Sequence, residues 1–425
     1  MDSKSNKKMF NRVFLLLFLW FNPTICNIII RLFTFPLRLS GAFASGIYQS
    51  ILFAYLAGWA IKKKRIKVDS LCVPIGILLV YMLNMALYQG RSVLFETPGD
   101  GFTTVFAVHN GIFGYFLFRN IDSLDNIRNA LACTVIVYTP YNVLRCMQAI
   151  KVGYWDQVVD GQRVKGEYNM EVGYILSFLA VSILYFYFRT LKKYYLLVII
   201  ALMFFIFTVG SRGALIPPVL YIFIWYILSE KKAKKRIFII AGILIMFVIS
   251  YYYIEILSYI SRFFLSHNLS SRTLTKLIKG SIGDSNSRVD IWLEILESWI
   301  NNAFLPKGIY ADRELVGMYS HNVIIELCYT FGILGVIMVI WGGWQILKTM
   351  RSSYSIDNKL FISIFGCFSL SRLFLSSSFW NERYFWVFLA LLITYWENNA
   401  SFFFHEETAF IKFKNIHVKG RSSIE

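Results

Sequence analysis

Long apolar runs separated by short polar segments dominate the hydrophobic pattern of the chain. A helix needs about 20 mostly apolar residues to cross a bilayer. The runs that approach this length are 11–30, 41–61, 71–89, 102–118, 129–149, 170–188, 194–210, 213–229, 236–257, 320–346, 359–379 and 380–396. The pattern therefore predicts an all-α polytopic membrane protein with about 12 transmembrane helices.

Two segments on one side of the predicted bundle, 150–169 and 258–319, are longer than tight turns. In the second, apolar residues recur at helical spacing after Ser287-Arg288-Val289-Asp290, which resembles a capping box. The opposite face of this predicted amphipathic helix carries Asp290, Glu294 and Glu297. The chain thus divides into helices 1–9 (1–257), a large extracytoplasmic loop (258–319), helices 10–12 (320–396) and a cytoplasmic tail (397–425).

Composition agrees with a membrane protein. The 425 residues are 57% hydrophobic and 16% charged, whereas soluble domains are about 45–50% apolar and about 25% charged. A water-soluble fold cannot bury that much apolar surface, so the excess is expected to face lipid.

The formal net charge of +18 is concentrated in short loops. Residues 62–65 and 231–236 share one side of the predicted topology with Arg189, Lys192, Lys193 and both termini. By the positive-inside rule this side is cytoplasmic, which places both termini there. The rule accounts for the basic balance, so nucleic acid is not an expected partner.

Charged residues also fall within the apolar runs or at their ends, where they are costly and mark functional candidates. All lie in the outer halves of the predicted spans: Arg145, Glu171, Arg212, Glu255, Glu326 and Arg372. This polarity favours a water-filled cavity open to the outside. For any single residue, a structural ion pair within the bundle remains the alternative.

Four cations on the outer side suit an anionic ligand: Arg163, Lys165, Arg212 and Arg288. The guanidinium fork matches phosphate oxygens, and helix N-termini add a favourable dipole. Ordinary solvated surface charge is the alternative for Arg163 and Arg288. It fits Arg212 less well, because apolar helices flank that residue.

His321 follows Ser320 at the start of the tenth predicted span, with Asn322 beside it and Glu326 one turn on. A histidine exchanges a proton near neutral pH and can act as a general base. A polar residue at the membrane interface is the alternative. The six cysteines form no C-x-x-C pair, and the chain has no P-loop and no D-x-D motif. No metal or cofactor is therefore expected.

Together these segments resemble the O-antigen polymerase and O-antigen ligase family of bacterial surface polysaccharide assembly. The resemblance runs from about 163 to 340 and lies in the following residues: Arg163-Val164-Lys165-Gly166 with Asn169, Ser211-Arg212-Gly213-Ala214-Leu215, Arg288 with Trp292, Ser320-His321-Asn322-Val323-Ile324-Ile325-Glu326, and Phe331-Gly332-Ile333-Leu334-Gly335. The first 150 residues match in hydropathy only.

The resemblance implies a metal-independent glycosyltransferase of the bacterial cytoplasmic membrane that acts on undecaprenyl-pyrophosphate-linked glycans at the outer face. It implies that Arg212 and Arg288 hold the pyrophosphate and that His321 deprotonates the attacking hydroxyl. We expect Arg163, Lys165, Asn322, Glu326, Trp292 and Arg372 to bind substrate. A chain-length regulator and a flippase are expected protein partners.

Within this resemblance we predict a polymerase that joins repeat units of O-antigen or capsular polysaccharide. An O-antigen ligase, which transfers glycan to lipid A core, is one alternative. A flippase or transporter of lipid-linked oligosaccharide is another, although such proteins usually have repeated halves and the chain shows no internal repeat.

Overall fold

The computed structural model describes residues 3–38, 40–63, 65–88, 101–152, 154–159, 162–166, 169–209, 211–229, 258–259, 262, 266, 288–351, 355–400 and 410–412. The predicted span 236–257 and most of the predicted loop before residue 288 lie outside these residues, as does Ser287. Nearly all of the described secondary structure is helical. The strands form two short antiparallel pairs.

The elements follow one another in this order: α1 Ser3–Phe21, α2 Pro23–Thr34, α3 Gly41–Lys62, β1 Arg65–Lys67, α4 Val68–Leu87, α5 Phe102–Val105, α6 Gly111–Arg119, α7 Leu124–Val152, β2 Trp155–Val159, β3 Gln162–Gly166, α8 Met170–Thr190, α9 Tyr194–Val209, a 3-10 turn Arg212–Leu215, α10 Ile216–Leu228, α11 Arg288–Ile300, α12 Ala311–Val316, α13 Val323–Phe331, α14 Ile333–Arg351, α15 Ile356–Leu375, α16 Arg383–Ala400 and β4 Phe410–Lys412.

Six of the described helices are long and apolar enough to cross a membrane: α3, α4, α7, α8, α14 and α15. The pair α1 and α2 passes the same test as one span but bends by 90° at its break, and α9, α10 and α16 are shorter apolar helices. The mainly helical architecture is thus confirmed, and these apolar helices suggest a membrane protein by their length and composition. The count of 12 spans remains a prediction.

Three predicted spans are interrupted in the structure, each at a residue that stops a helix. Pro23 begins α2 after the bend, Asn110 caps α6 by accepting a hydrogen bond from the Gly111 amide at 2.8 Å, and Gly332 separates α13 from α14. Gly332 has a φ of +60°, and a Cβ there would lie 2.7 Å from the Phe304 carbonyl oxygen. A side chain would therefore clash as well as strain the backbone.

Ion pairs gather at one end of the bundle, which we call the ion-pair end. Lys63 pairs with Asp122, Arg119 with Asp69 and Arg128 with Asp357. The basic strand β1 pairs with β4 at Arg65 and Lys412, so β4 lies at the same end. Arg65 and Arg189 of the predicted basic side lie at this end, whereas residues 231–236 lie outside the described residues. That both termini share this side, and that it is cytoplasmic, remain predictions.

Helices α8 and α15 form the buried centre of the bundle and run in opposite directions. At the ion-pair end the Tyr185 hydroxyl donates to Asp357 at 3.1 Å, and at the other end the Ser376 hydroxyl donates to the Tyr174 hydroxyl at 2.6 Å. Twenty helical residues span about 30 Å, comparable with the hydrocarbon core of a bilayer. The second end, which we call the site end, carries the candidate functional residues.

Candidate functional site

The segment that carries His321 is held by three neighbouring elements at the site end. The Ser320 amide donates to Asp312 Oδ2 at 2.9 Å, and the Ser320 carbonyl accepts from Trp292 Nε1 at 2.7 Å. The Tyr319 hydroxyl donates to the Ser376 carbonyl at 2.9 Å. These bonds attach the segment to α12, to α11 and to the turn after α15, so the position of His321 is well defined.

His321 itself adopts a left-handed backbone conformation with a φ of +56°. Such conformations are uncommon outside glycine and cluster at functional sites when the surrounding structure enforces them. The imidazole ring packs against Tyr319, with centroids 4.1 Å apart. Its Nδ1 atom is buried and has no hydrogen-bond partner among the described residues. A buried imidazole nitrogen without a partner is suited to accept or donate a proton to a ligand.

Two cations affect the protonation of His321. Burial, and then the positive charges of Arg288 and Arg313, lower the pKa of His321 to about 4. The imidazole is therefore neutral at neutral pH. A neutral imidazole beside guanidinium groups can accept a proton while the arginines hold an anion.

Tyr174 lies close to two cations, Arg372 and Arg288. The Arg372 guanidinium lies over its ring at 5.1 Å, and Arg288 interacts electrostatically with its hydroxyl group. Arg372 also pairs with the buried Glu382 carboxylate at 3.1 Å. Tyr174 therefore links Arg288 and Arg372, and through Ser376 and Tyr319 it is connected to His321.

The backbone that carries Arg212 lies against the same tyrosine. A Cβ built on Gly213 would lie 2.3 Å from the Tyr174 hydroxyl oxygen, and one built on Gly173 would lie 2.6 Å from Ser211 Cβ. The 3-10 turn can approach α8 this closely because both contact positions are glycine. The side chain of Arg212 lies outside the described part of the structure. Its backbone is nevertheless adjacent to Gly213, which lies against Tyr174, and the Tyr174 ring contacts Arg372.

A buried cluster of Asp312, Arg313 and Glu326 packs against the segment that carries His321. Arg313 Nη1 lies 3.1 Å from Asp312 Oδ1 and 3.6 Å from Glu326 Oε1. Glu326 also accepts from the Ser378 hydroxyl at 2.5 Å and from the Phe379 amide at 3.3 Å. Burial, and then the Asp312 charge, raise the pKa of Glu326. Because Glu326 is only 1% exposed, its placement favours a supporting role, and direct substrate binding by it stays a prediction.

Two other predicted substrate residues have structural partners. Asn322 caps α13, accepting hydrogen bonds from the Ile324 and Ile325 amides at 3.0 and 3.4 Å. Trp292 uses its indole N–H to hold the Ser320 carbonyl. Both residues therefore position His321. Neither contact excludes a ligand on the remaining face of the side chain.

The amphipathic helix α11 has the two faces expected from its sequence. Ile291 and Ile295 are buried, whereas Asp290, Glu294 and Glu297 are exposed. Together with α12 and α13 the buried face forms a small satellite core. This packing places Arg288, the first residue of the helix, beside His321.

Arg163 and Lys165 lie on the hairpin of β2 and β3, which precedes α8. Lys165 is exposed, and its ammonium group lies 4.5 Å from the centroid of the Tyr154 ring. Arg163 pairs with Val158 through its backbone, and its side chain lies outside the described residues. The hairpin is near the start of α8, where Asn169 caps the helix by accepting from the Val172 amide at 3.0 Å. It is therefore at the site end, although the contacts described do not join it to Arg288.

The residues that join the parts of the site could not be identified from the sequence. Tyr174 is one of 26 tyrosines, and its role depends on contacts with residues about 40, 115 and 200 positions away. Asp312 and Arg313 form no D-x-D motif, and nothing in the local sequence distinguishes them. The described residues contain no group of three or more histidine, cysteine or acidic side chains that could hold a metal ion.

Comparison with known proteins adds no family to this picture. The chain matches no protein-family model, no curated protein and no solved structure. The helical fold, the geometry at the site end and the short motifs are therefore the features that bear on its function.

Proposed function

We propose that the protein is a metal-independent glycosyltransferase that joins undecaprenyl-pyrophosphate-linked repeat units into O-antigen or capsular polysaccharide at the outer face of the bacterial cytoplasmic membrane. One observation carries the proposal: at one end of the helix bundle a neutral histidine, whose Nδ1 has no hydrogen-bond partner in the described part of the chain, lies beside Arg288. A transfer from a lipid diphosphate needs this combination of a base and a cation.

The proposed reaction breaks the bond between the anomeric carbon of one glycan and its diphosphate oxygen. A hydroxyl oxygen of the second glycan bonds to that carbon, and its proton passes to His321. The diphosphate leaves with the bonding electron pair and gains negative charge. Arg288, together with Arg212, would stabilise this charge most strongly in the transition state. The diphosphate is a good leaving group, so no nucleotide needs to be hydrolysed.

The low pKa of His321 fits this scheme once the ligand charge is included. In the free protein, burial and the two arginines favour neutral imidazole and make it a weak base. A bound diphosphate offsets the cationic field and raises the affinity of the imidazole for a proton. The base would therefore be strongest when the donor is in place.

Arg288 has no carboxylate partner among the described residues. Its guanidinium is thus available for phosphate oxygens, whereas Arg313 is engaged by Asp312 and Glu326. The dipole of α11 adds favourable potential at the same position, because Arg288 begins this helix.

The decisive experiment is a chain-extension assay with the purified full-length protein and defined lipid-linked repeat units. His321→Asn is the preferred variant because asparagine tolerates a left-handed backbone, whereas alanine there adds strain of about 1–2 kcal/mol. Loss of a general base typically costs about 10²–10⁴-fold in rate. His321→Asn should therefore retain a folded protein and lose at least about a hundredfold in extension rate.

Arg288→Lys tests the phosphate contact, because lysine keeps the charge but lacks the planar fork. Arg189→Lys is the matched control, since Arg189 lies at the ion-pair end, 3.9 Å from Asp357. We expect Arg288→Lys to slow extension at least about tenfold and the control to be unaffected. Near-normal polymer length in His321→Asn would refute the general-base assignment.

The same assay separates the alternatives. Extension of lipid-linked oligosaccharide identifies a polymerase. Transfer to lipid A core without extension identifies a ligase, and movement of lipid-linked glycan across liposomes without any transfer identifies a transporter.

A further inference from the structure

A cavity lies between four helices in the half of the bundle nearer the ion-pair end. Its walls come from α10, α14, α15 and α16, and its empty space amounts to about 490 Å³, including the part that is open at the surface. Most of its lining is aliphatic or aromatic, with Ile224, Ile346, Ile362, Leu370 and Phe388 among the contributing residues. The volume falls within the range of about 300–1,000 Å³ that small-molecule sites occupy.

Two hydrogen bonds between helices hold the walls of this cavity in place. The Tyr221 hydroxyl on α10 donates to the Leu360 carbonyl on α15 at 3.1 Å. The Lys359 ammonium on α15 donates to the Met350 carbonyl, near the end of α14, at 3.1 Å. Both bonds lie close to the ion-pair end and join neighbouring walls. The cavity is therefore built into the helix packing and does not need a ligand to form.

The cavity has a lining that suits hydrocarbon better than water. The Ser363 hydroxyl donates to the Lys359 carbonyl at 2.8 Å, and the Thr349 hydroxyl donates to the Gln345 carbonyl at 2.9 Å. Both hydroxyl groups thus bond to the backbone of their own helices. A site lined mainly by apolar groups holds water poorly and is filled favourably by an apolar chain.

The length of the cavity corresponds to one leaflet of a bilayer. Lys359 and Leu370 both line it and are eleven residues apart on α15, which corresponds to about 16 Å along the helix. The hydrocarbon core of a bilayer is about 30 Å thick, so each leaflet contributes about 15 Å. A cavity that starts at the ion-pair end therefore matches the depth of the acyl chains on that side.

Positive charge surrounds the end of the cavity that lies nearest the ion-pair end. Lys348 and Arg351 are exposed on the last turn of α14 and flank the residues that this turn contributes to the lining. The buried Lys359 adds a third cation. The acidic residue in the first turn of α15, Asp357, is already engaged by Arg128 at 3.0 Å. Basic pockets between membrane helices attract anionic lipid head groups.

We propose that this cavity binds an anionic phospholipid, with one acyl chain between the four helices and the head-group phosphate at Lys348 and Arg351. The depth of the cavity fits the chain, and the cations at its end fit the head group. The donor diphosphate of the proposed function belongs at the opposite end of the bundle, beside Arg288. The lipid site is therefore separate from the transferase site and does not depend on glycosyl transfer.

Native mass spectrometry of the full-length protein in a neutral detergent tests the proposal. The added lipids are phosphatidylglycerol and phosphatidylcholine with the same acyl chains, and a polyprenyl monophosphate. We expect one molecule of phosphatidylglycerol to bind saturably and at least about tenfold more tightly than phosphatidylcholine. A higher ionic strength should weaken this binding, because the head-group contacts are exposed.

A cavity-filling variant locates the acyl chain. Ile224→Trp places a larger ring in the α10 wall and should abolish the saturable binding of phosphatidylglycerol. Ile227→Trp is the matched control, because Ile227 is exposed on the same helix and does not contribute to the described lining. The unfolding temperature of each variant is measured alongside, since overpacking can destabilise a protein.

A charge variant locates the head group and is unaffected by overpacking. Lys348→Gln combined with Arg351→Gln changes two exposed side chains and should preserve the fold. Each cation near a membrane surface contributes about fivefold to the affinity for an anionic lipid, so the double variant should bind about thirtyfold more weakly. Lys192→Gln combined with Lys193→Gln is the control, since these exposed lysines follow the end of α8 near Arg189.

Four results would overturn the proposal. Equal affinities for the two phospholipids, or an unchanged affinity in the Lys348 and Arg351 double variant, would show that the cations do not recognise a head group. Unchanged binding in a folded Ile224→Trp protein would place the lipid elsewhere. Tighter, competing binding of the polyprenyl monophosphate would assign the cavity to the carrier lipid. If no added lipid binds, protein occupies the cavity and the lipid site does not exist.

Discussion

Asp312 offers a direct test of how the fold positions His321. Its Oδ1 accepts from the Arg313 amide at 3.0 Å and from Arg313 Nη1 at 3.1 Å, and its Oδ2 accepts from the Ser320 amide at 2.9 Å. Asp312→Asn is nearly isosteric and replaces one carboxylate oxygen with an amide group. If the remaining oxygen keeps the Arg313 contacts, the amide N–H groups face the Ser320 N–H.

The magnitude follows from these contacts. An unsatisfied buried N–H costs about 1–3 kcal/mol, and breaking a buried ion pair costs about 3–5 kcal/mol. Glu326 remains 3.6 Å from Arg313 and compensates for part of the lost charge. We therefore expect a destabilisation of about 3 kcal/mol. With about 2.1 cal/mol/K of unfolding entropy per residue, this corresponds to a fall in Tm of roughly 3 °C.

Two assays separate stability from function. Thermal unfolding of the purified protein in detergent gives the change in Tm, and the chain-extension assay gives the rate at a temperature where both proteins are folded. Misplacement of a catalytic group by about 1 Å can cost about a hundredfold in rate, so the rate should fall more than the Tm shift alone explains. Asp290→Asn is the matched control, because Asp290 is exposed on α11. A wild-type Tm and rate in Asp312→Asn would refute the claim that this carboxylate holds the His321 segment.

The remaining predictions concern the approach of the Arg212 turn and the protonation of His321. Gly213→Ala places a Cβ against the Tyr174 hydroxyl and should destabilise the protein by about 1–3 kcal/mol while slowing extension. Gly76→Ala is the control, because a Cβ at that position meets nothing within 4 Å. Equal unfolding temperatures of the two variants would contradict the contact between Gly213 and Tyr174. The acidic limb of kcat/KM should lie near the free-protein pKa of His321, about 4 because of burial and the nearby arginines, with neutral imidazole active above it. The limb of kcat should lie at higher pH because a bound diphosphate raises that pKa, and coincident limbs would contradict this electrostatic account.

Hydropathy predicted the uninterrupted helices well. The runs 170–188 and 359–379 correspond to α8 and α15, which are mostly apolar along their length and carry charged residues near their ends. It failed where a single residue stops a helix for a tertiary reason. At Gly332 the backbone of Phe304 and Leu305 occupies the space that a side chain would need. A window average of hydropathy contains no information about that contact.

The residue types at the candidate site were predictable from the sequence, but the contacts that join these residues were not. A histidine beside Asn322 and an arginine at the start of an amphipathic helix are visible as sequence features. The structure joins them through Trp292, whose indole N–H donates to the Ser320 carbonyl 28 residues later, and through the tyrosine at 174. Those partners are brought together by helix packing, so no local spacing rule identifies them.

The placement of acidic partners now separates two kinds of arginine that look alike in the sequence. Arg119, Arg128 and Arg313 each pair with carboxylates, so their charges are largely neutralised within the protein. Arg288 has no such partner among the described residues, and it lies beside a histidine whose Nδ1 also has no hydrogen-bond partner there. Since an uncompensated cation inside a membrane protein is unfavourable, an anionic ligand would recover more free energy at Arg288 than at the paired arginines. In the proposed function this ligand is the diphosphate of the donor, so removal of Arg288 should weaken diphosphate binding more than removal of a paired arginine does.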